Sequence, residues 1–129
     1  MTAYLLDTHL VYWWMTDAAH LGRTTRKLIA NEQCAVSAAT LWEMVLKNAR
    51  GKLPLPDTAL TASLEDQGFR IVPLAASHVE ACRALALEHP DPFDRVLLAT
   101  ACVEGLVLLT RDAGLLAAAR HRALPVQPA

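Results

Sequence analysis

Long apolar runs, paired cysteines and a strong net charge are all absent from this 129-residue chain. No apolar stretch approaches the roughly 20 residues that a membrane helix needs. The first residues carry no basic segment and Asp7 interrupts their apolar run, so no signal peptide is expected. The three cysteines, Cys34, Cys82 and Cys102, are widely spaced in apolar surroundings and form no CxxC. That spacing argues against a disulfide frame or a zinc site and reads as reduced thiols in a cytoplasmic protein. The histidines (His9, His20, His78, His89 and His121) show no ligand spacing such as HxxxH. There is no Gly-rich phosphate loop, no GxSxG and no Cys–His pattern, so neither a nucleoside-triphosphate enzyme nor a covalent hydrolase is indicated. With 12 basic and 13 acidic residues the charge is balanced, and any nucleic-acid contact must come from local patches. Lys47, Arg50 and Lys52 form one such cluster, which a solvated helix C-terminus explains equally well.

What the chain does have is apolar character: 53% of its residues are hydrophobic, at a length that makes one domain over residues 1–129. Ala3-Tyr4-Leu5-Leu6 reads as a buried strand that stops at Asp7. A helix over 9–15 follows, capped by Asp7 or Thr8, and a second over 24–30 lies behind Gly22. Cys34-Ala35-Val36 is a brief strand. Ser37 caps a strong helix over 38–49, which Gly51 closes and Pro54 and Pro56 keep from continuing. Asp57 is expected to cap a helix to about residue 67. A strand over 69–74 has Pro73 at its end or on an edge, and Ser77 is expected to cap a helix to about residue 87.

His89-Pro90-Asp91-Pro92-Phe93-Asp94-Arg95 reads as a helix start. Asp91 stands at the N-cap, Pro92 at the first helical position, and Asp94 at N3, where a carboxylate reaches back to the cap. The helix that follows, to about residue 103, is apolar nearly all round and should be buried, with Gly105 closing it. Residues 106–110 are the clearest buried strand; a short helix over 113–120 and a last strand near 124–126 finish the chain. Strands alternating with helices imply an α/β fold, a mostly parallel sheet of four or five strands covered on both faces.

In such a sheet, sites form beyond the carboxyl ends of the strands. Asp7 follows the first strand and Asp112 the strand ending at Thr110, while Asp94 starts the helix leading into that strand. Glu43 lies among Leu41, Trp42, Met44, Val45 and Leu46, either on a narrow polar stripe or buried for function. Each acid also has a plain structural explanation. Asp7, Asp94 and Asp112 can be helix-start carboxylates contributing roughly 1 kcal/mol. Glu43 can pair with Lys47 one turn on, or close a capping box with Thr40. If the acids converge instead, their mutual repulsion is relieved by a hard divalent cation, Mg²⁺ or Mn²⁺, and the matching chemistry is metal-assisted attack of water on a phosphodiester.

Four stretches in order carry a resemblance: Leu5-Leu6-Asp7-Thr8-His9, Val36-Ser37-Ala38-Ala39-Thr40-Leu41-Trp42-Glu43, Asp91-Pro92-Phe93-Asp94-Arg95 and Leu109-Thr110-Arg111-Asp112. Together they resemble the acidic motifs of PIN-domain nucleases, and most of all the VapC-like toxins of type II toxin–antitoxin systems. The resemblance spans nearly the whole chain. It implies that Asp7, Glu43, Asp94 and Asp112 form a catalytic, metal-holding set for Mg²⁺ or Mn²⁺, with Asp7 and Asp94 the firmest ligands. It also implies that Asp91 is a cap beside the site, and that Thr110 and Arg95 stand at the rim holding water or phosphate, with Thr8 near them. A cytoplasmic homodimer that cleaves RNA and is held by a cognate antitoxin follows from the same likeness. One departure is that no further acid follows Asp112 in Ala113-Gly114-Leu115, as it does in some branches of the family. Two other readings stand beside this one. An acid-cluster phosphatase is weakened by the missing second acid of an Asp-x-Asp at Asp7, and a non-catalytic RNA- or protein-binding scaffold by the presence of all four acids. Trp13, Trp14 and Trp42 are candidates for base stacking, though apolar runs of this kind more often serve a core or a dimer surface.

Overall fold

The computed structural model describes residues 3–85 and 89–129. Its centre is a five-stranded parallel sheet in the order β3-β2-β1-β4-β5. The strands are β1 (Ala3–Leu6), β2 (Gln33–Ser37), β3 (Arg70–Val72), β4 (Val107–Thr110) and β5 (Val126–Pro128). Among the described residues seven α-helices join them: α1 (Thr8–Met15), α2 (Arg23–Asn31), α3 (Ala38–Ala49), α4 (Leu60–Asp66), α5 (Ala76–Leu85), α6 (Pro92–Glu104) and α7 (Ala113–Arg122). No helix among the described residues is long and apolar enough to cross a membrane.

Strand side chains point alternately to the two faces, so a fully apolar strand feeds two cores. Tyr4 and Leu6 of β1, Val36 of β2 and Leu109 of β4 pack with Leu10, Val11, Ile29 and Leu64 from α1, α2 and α4. Leu5, Ala35 and Leu108 point the other way, against Leu97, Leu98 and Ala101 of α6 and Leu115 of α7. Helix α3 runs between the layers, giving Met44 to the first core and Ala39 to the second. Each wholly buried leucine here contributes about 1.5–3 kcal/mol by its removal from water.

The helix ends follow the local chemistry of the sequence. Ser37 caps α3 through a 3.0 Å bond from the Ala39 N–H, and Asp91 caps α6 through a 2.8 Å bond from Phe93 N–H, with Pro92 in the first turn. Gly105 ends α6 at φ 69°, a left-handed conformation that costs glycine least.

Three boundaries differ from expectation. Helix α4 starts at Leu60 behind Ala59, so Asp57 caps nothing; the chain stays irregular after Pro54 and Pro56. Helix α5 starts at Ala76, so Ser77 lies inside it, and the Ala75 N–H is bound by His78 Nδ1 at 3.1 Å. The expected end of that helix at residue 87 lies outside the described residues. Strand β5 falls two residues later than expected, because Leu108 N–H first bonds the Pro125 carbonyl and pairing starts at Val126.

Candidate active site

Strand order reverses between β1 and β4: the chain runs outward from β1 to β2 and β3, then returns to β4 and β5. In open parallel sheets that reversal opens a crevice beyond the strand ends. Asp7 and Thr110 leave adjacent strands there, since Leu6 pairs with Leu109.

Asp7 is only 4% exposed and caps α1, its Oδ1 accepting the His9 N–H at 2.9 Å. Its Oδ2 accepts the Thr110 hydroxyl at 2.5 Å. Burial pushes the Asp7 carboxyl up, but the bonds from His9 and Thr110 outweigh it, and the group is held below its ordinary range. Thr110 is therefore not at the rim. It is wholly buried, donating to Asp7 while accepting the Asp112 N–H at 3.0 Å. Asp112 caps α7, its Oδ1 taking the Leu115 N–H at 2.8 Å, and its side chain is 40% exposed.

Asp94 does not close a capping box. The Asp91 N–H that it would have to receive is bound instead by His89 Nδ1 at 3.2 Å. Asp94 is 8% exposed, and its carboxyl is pushed up to about 7 by burial first, then by the charges of Asp91, Asp7 and Asp112. His89, Asp94 and Asp112 each offer a ligand atom within 4.8 Å of the others.

Glu43 is buried on α3, which settles the choice left by the sequence against an exposed stripe. Its Oε1 accepts the Thr8 hydroxyl at 2.7 Å and its Oε2 pairs with Lys47 at 2.7 Å; Thr8 also meets Thr40 at 3.2 Å. Glu43 thus joins the site through the first residue of α1, with its charge already balanced. Arg95 is exposed, and its charge acts on the Cys82 thiol of α5.

A cleft of about 290 Å³ opens beside the acids, lined by Asp7, His9, Leu10, Trp13, Arg111 and Asp112. Arg111 is spoken for: it donates to the carbonyls of His20 and Leu21 and to Thr25, and lies 5.3 Å over the Trp13 ring. It stiffens an aromatic wall made with His9 and His20, which pack on Trp13 at 5.8 and 5.7 Å. Trp14 packs edge-on against Phe69, and Trp42 is exposed on α3. A larger cleft of about 340 Å³ lies at the opposite ends of the strands, around Ala3, Gln33 and Arg70, and contains no carboxylate.

Two contributors carry little local signal in the sequence. His89 faces Asp112 across 23 positions, a pairing no spacing rule reveals, although a histidine two residues before an N-cap is a local hint. Arg111 was visible only as part of a motif, not as a clamp.

Comparison with known proteins decides the family: the profile of the PIN domain matches residues 4–121. The chain belongs to the PIN-domain family. It is 31% identical over 116 residues to Ribonuclease VapC22 of Mycobacterium tuberculosis, covering 87% of this chain and 88% of that one. It also superposes on the DNA-bound VapBC2 structure from Rickettsia felis with a TM-score of 0.70 and 16% identity, over 98% of both chains. A toxin–antitoxin complex from Klebsiella pneumoniae gives 0.57 and 24%, over 84% of this chain and 86% of that one. In this PIN domain the donor set fits a divalent cation. A buried Asp94 carboxyl pushed up by burial and by its acidic neighbours, beside buried Asp7 and a part-exposed Asp112 that opens onto a cleft, is the oxygen-rich environment that a hard ion relieves.

Proposed function

We propose that this PIN domain is a metal-dependent endoribonuclease and the toxin of a type II toxin–antitoxin pair. The observation that carries the reading is the meeting of Asp7, Asp94 and Asp112 at the β1–β4 crevice, where Asp94 is pushed up to about 7 by burial and its acidic neighbours. The name of the Mycobacterium relative and the VapBC complexes among the structural neighbours support the assignment.

Asp7, Asp94 and Asp112 would hold Mg²⁺ or Mn²⁺, with Glu43 completing the set. The bound ion supplies Lewis-acid activation of water and charge relief at the phosphodiester. The chain's own residues do the rest. Thr110 fixes the rotamer of Asp7, and Thr8 fixes Glu43, so neither carboxylate swings away. Lys47 is committed to Glu43, which leaves Arg50 and Lys52 as the exposed cations of that cluster for the RNA backbone. The wall of Trp13 and His9 gives an unpaired base an aromatic surface beside the acids. Arg95, exposed in the first turn of α6, is left for substrate. Trp42 and Val45, exposed on the outer side of α3, are assigned to a homodimer surface. An RNA substrate and free thiols at Cys34, Cys82 and Cys102 suit a cytoplasmic setting.

The test is controlled expression in cells of the wild type and Asp94→Asn, with and without a candidate antitoxin. Growth arrest with loss of a discrete RNA, absent in Asp94→Asn and relieved by the antitoxin, is the expected result. Arrest that persists in Asp94→Asn with no RNA cut would overturn the reading.

A further inference from the structure

Among the described residues at the crevice, His89 has a buried polar side chain that the catalytic set leaves without a role. Its ring is 8% exposed and lies between the starts of α6 and α7. Nδ1 accepts the Asp91 N–H at 3.2 Å, an imidazole version of the turn in which a side chain bonds the backbone two residues on. A ring nitrogen that accepts a backbone N–H carries no proton, so in the neutral ring the proton is on Nε2. That Nε2–H donates to Asp112 Oδ1 at 3.4 Å and lies 3.7 Å from Asp94 Oδ2.

From this geometry we infer that His89 is a positioning residue: its Nε2–H holds the Asp112 and Asp94 carboxylates together for a divalent cation and does not itself ligate the ion. The inference rests on the reading of the acids as a cation site. Asp112 needs such a hold because its side chain is the most exposed of the three converging aspartates and is otherwise fixed only by its cap. Histidine meets the need because one ring reaches backbone on one side and carboxylate on the other. Gly114 supplies the room, since a Cβ there would lie 3.2 Å from Asp112 Oδ1 and 3.5 Å from His89 Nε2.

Amide side chains separate the two nitrogens. Glutamine places its N–H₂ near Nε2 and keeps the donor, whereas asparagine reproduces only the inner position. Mn²⁺ is titrated into the purified proteins and free Mn²⁺ is read by electron paramagnetic resonance, with thermal unfolding as the folding control. Partners that hold ligands typically matter by about 10- to 100-fold in metal affinity, so His89→Asn should bind Mn²⁺ more weakly by that factor. His89→Gln should stay near the wild type. Gly114→Ala should weaken Mn²⁺ binding without lowering the thermal midpoint, because alanine favours the helix and only crowds the His89–Asp112 contact. Equal loss in His89→Gln and His89→Asn overturns the inference, because an amide does not replace a ligating imidazole. Wild-type affinity in both His89→Asn and Gly114→Ala overturns it too. Absence of Mn²⁺ binding by the wild type overturns this inference and the cation-site reading together, whereas the other two outcomes leave that reading standing.

Discussion

Replacing Asp94 with asparagine should make the metal-free protein more stable, not less. In the unfolded chain this carboxyl titrates near 3.8, and in the fold burial and the charges of Asp91, Asp7 and Asp112 push it up to about 7. Between those values the folded state keeps a proton that the unfolded chain has released. Stability therefore falls by about 1.4 kcal/mol for each pH unit over that window. Above pH 7 both states are ionised and the whole penalty is in place, about 4 kcal/mol as an upper figure. The side chain is only 12% exposed, so solvent screens little of it, though small shifts of the acids reduce it. Asparagine keeps the shape and removes the charge. Urea unfolding in the presence of a chelator should show Asp94→Asn ahead by about 2–4 kcal/mol at pH 8 and level with the wild type near pH 4. A saturating cation closes most of that gap, since an ion at 100 times its Kd adds about 2.7 kcal/mol to the wild type alone. Equal stability at pH 8, or an offset that does not change with pH, would refute the convergence of the acids.

Other residues around the crevice give separate expectations. Thr110→Val removes the donor to Asp7 and the acceptor of the Asp112 N–H, and should cost about 1–3 kcal/mol in urea unfolding. It should also flatten the acid limb: the lowered Asp7 carboxyl adds stability above about pH 4 that disappears as pH falls through its folded value, and the valine variant loses that contribution. Arg111→Lys keeps the charge but not the fork that binds the His20 and Leu21 carbonyls, so amide exchange in residues 19–25 should quicken and stability fall by about 1–2 kcal/mol. Trp13→Leu keeps an apolar wall but removes the ring; RNA cleavage should show a raised KM, from about 1–3 kcal/mol of lost base stacking, with Mn²⁺ affinity unchanged.

Local chemistry made much of the fold legible. Ser37, Asp91-Pro92 and Gly105 mark helix ends by capping and backbone preference, and the apolar runs at 3–6 and 106–110 read as strands buried on both faces, as they are. Where the reading failed, a long-range contact or a competing local bond decided. Asp57 looks like a cap, but the helix begins three residues on. Asp94 looks like half of a capping box until His89 is seen to hold the backbone donor. Thr110 looked like a rim residue because its partner, Asp7, is 103 positions away and is reached only through the pairing of β1 with β4. The acids themselves were readable as an ordered set. Glu43 could not be assigned to surface or interior until Thr8 and Lys47 were found on its two oxygens.

The most direct test is cleavage of end-labelled RNA by purified protein with Mg²⁺, with a chelator, and by folded Asp7→Asn and Asp94→Asn. Discrete cuts by the wild type with Mg²⁺, abolished by the chelator and by either substitution, are expected if the β1–β4 crevice is the catalytic centre. Equal cutting by Asp94→Asn, or cutting that persists under chelation, would contradict it.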